Sequence, residues 1–238
     1  MTKSISNIPS FFVPIVVSPE MGEEVNNEVF RNLLNGRNYA LVGTQILFER
    51  NHQFYLTMID NEQQSYSLAD YAMLPENAPY ELINGKLEFM PSPYDLHQLA
   101  LANLHLLVHS HVKKEKIGTV RFAPLDVHFD EKNIFQPDLM FISNERKDII
   151  KKFIHGAPDL IVEVLSSNKS HDLGKKKDAY GKHNVLEYWA IDYEQKTLDL
   201  YLNEERVMIF KHQFREEDTV QSEVLKDFSF VLGEIFEE

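Results

Sequence analysis

The sequence predicts a mixed α/β fold, with a mixed β-sheet flanked by helices and an N-terminal extension rich in β-structure. The main observation is the order of elements after residue 94: a helix, three candidate strands, a second helix and an antiparallel strand pair. This order is typical of a sheet that carries helices on its faces. Residues 1–64 contain two β-rich runs and no chemical motif. We therefore predict an extension over residues 1–64 and one larger domain over residues 65–238.

The composition limits the kinds of site that the chain can hold. A chain of 238 residues is long enough for one large domain plus an extension. It contains no cysteine, which excludes disulfides and thiolate metal sites. Any metal must therefore be held by Asp, Glu, His or backbone oxygens.

The charge and hydropathy of the chain limit its partners. The formal net charge of −13 disfavours non-specific binding of nucleic acid over the whole surface, but a local basic patch or a metal ion can still recruit a phosphodiester. The apolar run Phe11–Val17 is too short to span a bilayer and is not followed by a small-residue cleavage site. We expect a cytoplasmic protein that does not bind membranes, in agreement with the absence of cysteine.

The predicted extension contains a β-hairpin. Its strands are the runs Tyr39–Phe48 and Gln53–Ile59, joined by a polar stretch at residues 49–52. We interpret this part as a structural or oligomerising appendage. The sequence leaves a homodimer open.

The domain begins with a short helix over Leu68–Leu74, ended by Pro75, and a tight hairpin. In the hairpin, strands Tyr80–Ile83 and Lys86–Met90 flank Asn84-Gly85. This dipeptide supplies the positive φ angles that a two-residue turn requires.

A long helix follows, from a cap at Asp95 to about Lys114. One stripe of this helix is predicted to face the core. The stripe contains Leu96, Leu99, Ala100, Asn103, Leu104, Leu107 and His111.

The rest of the domain alternates strands with one further helix. The predicted strands are Val120–Phe129, Phe135–Ile142, Leu160–Leu165, Glu187–Asp192 and Thr197–Leu202, the last two forming an antiparallel pair. A Lys-rich helix over Leu173–Lys182 separates the third strand from the fourth. The acidic tail from Arg215 to Glu238 is predicted to end in a short strand and a helical turn.

An acidic residue interrupts the third of these strands. Because side chains alternate between the faces of a strand, Ile161, Glu163 and Leu165 share one face, which is otherwise apolar. A buried carboxylate costs several kcal/mol unless something compensates it. A metal ion can do so; a salt bridge to a core Arg or Lys, or a place at a strand end in contact with water, are the alternatives.

A second acid stands at the start of the preceding apolar run. Asp138 follows Pro137, and Pro-Asp alone is a common dipeptide at the entry to a strand. The 25 residues from Asp138 to Glu163 allow the two acids to come from adjacent strands and to share one Mg²⁺. Carboxylates that do so would lie within ~5 Å of each other, because metal–oxygen distances are about 2.1 Å.

The Lys-rich helix contains a candidate cation for the same site. Lys176 and Tyr180 are four residues apart and share a helix face, whereas Lys175 and Lys177 are expected largely in solvent. A lysine beside a phosphodiester can stabilise developing charge or orient a water molecule. For any one of these lysines, the alternative is a place on a solvated helix.

These motifs occur in one order along residues 67–238. They are Tyr80–Gly85, His97, Gln136–Leu139, Ala157–Ser166, Asp172–Lys176 with Tyr180, and Glu187–Asp192. Together they resemble the Uma-two family of restriction-endonuclease-like proteins, within the PD-(D/E)xK nuclease superfamily. The resemblance implies a restriction-endonuclease-like mixed sheet flanked by helices, and metal-dependent cleavage of phosphodiester bonds.

The resemblance also implies a metal site. Asp138 matches the Asp of the PD element and Glu163 matches the second acid. With the backbone carbonyl of Val164, they would hold Mg²⁺ or Mn²⁺. Glu81 matches an acid of the opening hairpin near the metal, and His97 matches a helix histidine without an assigned role.

One position departs from the superfamily pattern. The residue two after the second acid is expected to be Lys, but it is Leu165 here. In family members of this type a helix lysine is thought to substitute, and Lys176, four before Tyr180, is the position that matches.

The expected activity is therefore that of a Mg²⁺-dependent endodeoxyribonuclease, with DNA as its partner. The metal would polarise the phosphate and activate a water molecule, and Lys176 would stabilise the transition state. One alternative is a catalytically inactive nuclease-fold protein that acts in binding or assembly; the acidic balance and the lack of a DNA-reading module favour it. Another is a metal-dependent hydrolase of a different substrate. Analogy of fold does not choose between them.

Overall fold

The computed structural model of the chain describes residues 12–14, 34, 39–42, 45–50, 53–57, 65–72, 74–75, 78–165 and 171–238. The chain forms two compact units, Met1–Met90 and Pro91–Glu238. The predicted domain boundary after residue 64 lies inside the first unit and stays a prediction.

The first unit begins with a four-stranded antiparallel sheet. Its strands are β1 (Phe12–Pro14), β2 (Tyr39–Val42), β3 (Gln45–Arg50) and β4 (Gln53–Thr57), in the order β1-β4-β3-β2. The predicted hairpin corresponds to β3 and β4, in which Arg50 pairs with Gln53. The first predicted run is two strands, and Ile59 lies outside the described residues.

The first unit continues with helix α1 (Leu68–Tyr71) and a second hairpin, β5 (Tyr80–Ile83) and β6 (Lys86–Phe89). Ser67 and Asp70 form a capping box that begins α1, which is shorter than predicted. The turn at Asn84 and Gly85 has φ angles of 50° and 75°, so the predicted tight hairpin is confirmed.

The second unit begins with helix α2 (Asp95–Glu115). Its cap is Tyr94, without a side-chain hydrogen bond, so the predicted cap at Asp95 is wrong. The predicted stripe is partly wrong as well, because Leu96 is 55% exposed. Leucines occur on several sides of this helix, and the apolar pattern therefore does not define its buried face. The buried residues are His97, Ala100, Leu101, Leu104, Val108 and Val112.

The strands of the second unit are β7 (Gly118–Phe122), β8 (Val127–Asp130), β9 (Asn133–Phe135), β10 (Leu139–Ser143), β11 (Ile154–His155), β12 (Leu160–Val164), β13 (Glu187–Asp192), β14 (Thr197–Glu204), β15 (Val207–Arg215), β16 (Thr219–Gln221) and β17 (Ser229–Val231). Six of them form a sheet in the order β15-β14-β13-β12-β10-β7. Only the pair β12–β13 is parallel among these. The predicted mixed sheet is confirmed.

Two predicted strands are each divided into two. Val120–Phe129 corresponds to β7 and β8, and Phe135–Ile142 corresponds to the end of β9 and most of β10. Pro124 and Pro137 lie in the interruptions, where proline has no N–H to donate to a neighbouring strand. Strand β15 was not predicted, because its exposed residues mix polar and apolar types without clear alternation.

Three further helical segments complete the second unit. A 3₁₀ helix spans Asn144–Ile149, a π-helical turn at His171–Lys176 continues into α3 (Lys177–Lys182), and a 3₁₀ helix spans Leu232–Phe236. The predicted Lys-rich helix thus begins two residues early and with a wider turn. The predicted strand and helical turn of the tail are confirmed by β17 and Leu232–Phe236.

The core of the second unit lies between α2 and one face of the sheet. Leu160, Val162 and Val164 belong to this core, together with residues of α2 and β13. Because side chains alternate along β12, Glu163 points to the opposite face. No helix in the described ranges is long and apolar enough to cross a membrane.

Candidate active site

The pairing of β10 with β12 aligns the two predicted acids. Leu139 lies opposite Val162 in this antiparallel pair. The residue before Leu139, Asp138, therefore lies opposite the residue after Val162, Glu163. The Asp138 Oδ2 atom accepts a hydrogen bond from the Val164 N–H at 2.8 Å. Asp138 is thereby tied to the end of β12 that carries Glu163. The predicted separation of ~5 Å between the two carboxylates stays a prediction.

Glu163 is buried, with 3% of its surface exposed. Its Oε1 atom lies 3.2 Å from the Lys176 Nζ atom and accepts a hydrogen bond from the Tyr180 hydroxyl. Lys176 and Tyr180 are also buried. An ion pair and a hydrogen bond therefore compensate the buried carboxylate, which is the salt-bridge alternative that the sequence left open. The cation is the lysine predicted for the site.

The same ammonium group has a second carboxylate neighbour that sequence reasoning missed. Asp172 Oδ1 lies 3.9 Å from Lys176 Nζ, and Asp172 is itself 5% exposed. The backbone carbonyl of Asp172 accepts a hydrogen bond from the Tyr188 hydroxyl at 3.2 Å. Its spacing of four residues from Lys176 is the signal that could have identified it.

The charges of three acids affect the pKa of one buried tyrosine, Tyr188. Burial raises the pKa of Tyr188 well above its ordinary value, and the charges of Glu163, Asp172 and Asp138 raise it further. Three acids from separate segments therefore lie close enough to one phenol to influence its ionisation.

His97, at the start of α2, contacts Asp138. Its Nε2 atom lies 3.2 Å from Asp138 Oδ2. Burial lowers the pKa of His97, but the hydrogen bond and charge of Asp138, a hydrogen bond with the Val164 backbone and the charge of Asp172 together raise it above its ordinary value. The family resemblance assigned no role to His97; in the structure its ring lies beside Asp138.

The remaining predicted residues have different surroundings. Lys175 is exposed, as expected, but Lys177 is half-buried, and its ammonium lies 5.2 Å from the centre of the Tyr201 ring. The expectation that Lys177 lies largely in solvent is therefore wrong, because the ring attracts its cation. Glu81 is buried on β5 in the first unit, opposite Glu88. Its predicted place near a metal stays a prediction.

The residues at the end of β12, together with Asp138, offer oxygen atoms that suit a hard divalent cation. Two carboxylates, Asp138 and Glu163, and the backbone oxygen of Val164 are the oxygen donors that Mg²⁺ and Mn²⁺ take. Within the described part of the chain, no group of three or more Asp, Glu or His side chains is arranged to hold a metal. The predicted ligand set, with two side chains and one backbone oxygen, is smaller than such a group.

Two other acids of the sequence motifs have structural contacts. Asp159 accepts a hydrogen bond from the Ser143 N–H at 2.7 Å and lies 3.3 Å from the Arg146 Nε atom. Glu187 is a buried acceptor whose donors are Trp189 Nε1, Ser222 Oγ and the N–H groups of Glu223 and Val224. Burial raises the pKa of Glu187, although these hydrogen bonds oppose the effect.

Comparison with known proteins gives a family and a fold. No curated protein matches the chain. A solved structure described as a putative nuclease belonging to DUF820 from Anabaena variabilis ATCC 29413 is similar to it, with a TM-score of 0.62 and 22% sequence identity, over 71% of this chain and 97% of that one. This likeness shows a shared fold. The model of the Uma2 family, described as "Putative restriction endonuclease", matches residues 68–233. The chain therefore belongs to the Uma2 family.

Proposed function

We propose that this chain is a metal-dependent endonuclease that hydrolyses phosphodiester bonds in DNA, with Mg²⁺ or Mn²⁺ as its cofactor. The main support is the ion pair between Lys176 and Glu163, on the strand next to Asp138. Leu165 occupies the strand position at which the superfamily has its lysine. The helical segment nevertheless supplies an ammonium group, that of Lys176, which lies 3.2 Å from Glu163.

The proposed ligands of the cation are Asp138, Glu163 and the Val164 carbonyl. When bound, the ion would polarise a phosphate oxygen and lower the pKa of a water molecule. The Asp138 side chain is 16% exposed, whereas that of Glu163 is buried. Access for a phosphodiester is therefore proposed from the side of Asp138.

Lys176 is proposed to stabilise negative charge that develops on the phosphate. A buried ammonium acts in surroundings of low dielectric constant, where its effect on a nearby charge is larger than in water. Tyr180 donates to the oxygen of Glu163 that also contacts Lys176. This hydrogen bond would keep the carboxylate oriented while the ammonium interacts with substrate.

The proposed substrate class is supported by the family and not by the surface charge. The family description names restriction endonucleases, and the similar solved structure is described as a nuclease. With a net charge of −13, the chain is expected to engage DNA mainly at this site and not over its general surface. We also propose that it acts in the cytoplasm, since it has no cysteine.

The test is cleavage of supercoiled plasmid and single-stranded DNA by the purified chain, with Mg²⁺, with Mn²⁺ and with EDTA, beside Asp138→Ala. We expect nicked and linear plasmid with either metal, and no cleavage with EDTA or in the variant. Equal cleavage by Asp138→Ala would assign the activity to another site or to a contaminant. A folded protein without cleavage under any of these conditions would contradict the proposal and favour a role in binding or assembly.

A further inference from the structure

One buried carboxylate beside the candidate site has no part in the mechanism above. Asp172 is 5% exposed, and its Oδ1 atom lies 3.9 Å from the Lys176 Nζ atom. The shorter contact of that ammonium, at 3.2 Å, is with Glu163. Two buried carboxylates therefore share one lysine.

Metal binding at Glu163 would disturb its ion pair with Lys176. A divalent cation and an ammonium group that approach the same carboxylate repel each other, and the repulsion is strong where water is excluded. With Glu163 as its partner, the ammonium would either compete with the metal or move away from the site. The flexible four-carbon stem of lysine allows both outcomes.

Asp172 lies where it can accept the displaced ammonium. It precedes Lys176 by four residues in the same π-helical turn, so the two side chains lie on one side of the segment. The Tyr188 hydroxyl donates to the backbone carbonyl of Asp172 and holds that end of the turn. A short movement of the ammonium from Glu163 toward Asp172 therefore keeps it next to the metal.

We infer that Asp172 is a positioning residue that retains Lys176 in the site when a divalent cation binds Glu163. The inference rests on the proposed function, because it concerns the same cation and the same lysine. Asp172 acts through Lys176 and is not itself a metal ligand. Removal of its charge would leave the ammonium on Glu163, in competition with the metal.

The test is calorimetric titration of the full chain with Mn²⁺. The variants are Asp172→Asn, Lys176→Met, the double variant, and Asp178→Asn, which removes an exposed carboxylate of the adjacent α3. We expect Asp172→Asn to raise the Kd for Mn²⁺ about tenfold, as for coupled groups in direct contact. Lys176→Met and the double variant should bind Mn²⁺ with Kd values within about threefold of each other, since no ammonium remains to compete. Asp178→Asn should match the wild type.

The dependence on Lys176 separates positioning from other roles. An equal loss of Mn²⁺ affinity on Asp172→Asn, whether or not Lys176 is present, would mean that Asp172 acts directly on the metal, and would overturn the inference. If Asp172→Asn does not fold, Asp172→Ser provides the same comparison. If the wild type binds no Mn²⁺, the proposed metal site itself fails and the inference fails with it. Mn²⁺ binding without the Asp172–Lys176 coupling overturns the inference alone.

Discussion

The tripeptide Pro-Asp-Leu occurs twice in the second unit, at residues 137–139 before β10 and at residues 158–160 before β12. The two strands are antiparallel neighbours, so the two tripeptides lie at opposite ends of one strand pair. The local sequence is the same in both, but the surroundings of the two aspartates differ.

Asp159 is surrounded by structural partners. One carboxylate oxygen accepts the Ser143 N–H at 2.7 Å, and the other lies 3.3 Å from the Arg146 Nε atom. Arg146 also donates to backbone carbonyls of Ala157 and Asn184. The backbone N–H and the guanidinium satisfy the hydrogen-bonding capacity of this carboxylate, and these contacts stabilise the end of the strand.

Asp138 has a different set of partners. Its Oδ2 atom accepts a hydrogen bond from the Val164 N–H and lies beside the His97 ring. The residue of β12 that lies opposite Asp138 is a second acid, Glu163. A guanidinium is always charged and forms a fixed pair, whereas an imidazole is one of the common neighbours of metal-binding groups. The partners, and not the tripeptide, therefore distinguish the candidate catalytic acid from the structural one.

The largest expected effect is that of Asp138→Asn on cleavage. Loss of a ligand charge should reduce the cleavage rate about a thousandfold or more, because the metal would be held poorly and the water less activated. Initial rates of plasmid nicking at saturating Mg²⁺ check this. The matched control is Asp159→Asn, which should retain at least half of the wild-type cleavage rate per folded molecule. Equal losses of rate in both variants would contradict the assignment of different roles to the two aspartates.

Glu163→Gln is expected to lose measurable Mn²⁺ binding without unfolding. The amide cannot supply the charge that the cation requires, while Asp172 remains as a carboxylate partner for Lys176 and should keep the protein folded at a lowered melting temperature. Mn²⁺ titration and thermal unfolding measure the two effects. Glu187→Gln is the control, a buried strand acid whose substitution should lower the melting temperature and keep Mn²⁺ binding; unchanged Mn²⁺ affinity in Glu163→Gln would give Glu163 a structural role.

Lys176→Ala is expected to lower the cleavage rate about a hundredfold, the usual loss for one group that stabilises a transition state. Its metal affinity should stay within about threefold of the wild type, since Lys176 is not a ligand and, in the wild type, Asp172 holds the ammonium when the metal binds Glu163. Single-turnover cleavage and Mn²⁺ titration measure the two quantities. The exposed neighbour Lys175→Ala should retain full activity, and full activity in Lys176→Ala as well would exclude it from the mechanism.

The smallest expected effect is the loss of stability in Asp159→Asn. Removal of the charge that faces Arg146 should lower the free energy of unfolding by about 2 kcal/mol, because Arg146 is partly exposed and keeps some hydration. Urea unfolding at neutral pH measures it. Asp138→Asn should change this free energy by less than about 1 kcal/mol; a larger loss than in Asp159→Asn would reverse the assignment of the two aspartates.

Much of the fold could be predicted from local patterns in the sequence. The Asn84-Gly85 turn, the long helix, the buried strand β12 and the pair β13–β14 follow from turn chemistry and hydrophobic periodicity. The divided strands could have been expected, since Pro124 and Pro137 each lie inside a predicted run. The buried face of α2 could not, because leucines on several sides give no single stripe.

The candidate site was predicted in part. An acid inside an apolar strand identified Glu163, and a shared helix face identified Lys176 as the lysine that contacts it. The four-residue spacing of Asp172 from Lys176 could have identified their contact, but the spacing of apolar residues does not reveal the π-helical form of the turn. The two Pro-Asp-Leu tripeptides do not by themselves distinguish Asp138 from Asp159, because the difference arises from partners distant in sequence: His97 for one and Arg146 for the other. Only the resemblance to the family selected Asp138.

The most direct measurement is a calorimetric titration with Mn²⁺ of the wild type, Asp138→Asn and Asp159→Asn, each below its unfolding temperature. We expect one strong site in the wild type, the same site in Asp159→Asn, and a Kd raised at least about a hundredfold in Asp138→Asn. Equal affinity in Asp138→Asn and the wild type would contradict the assignment of the metal to the Asp138 end of the strand pair.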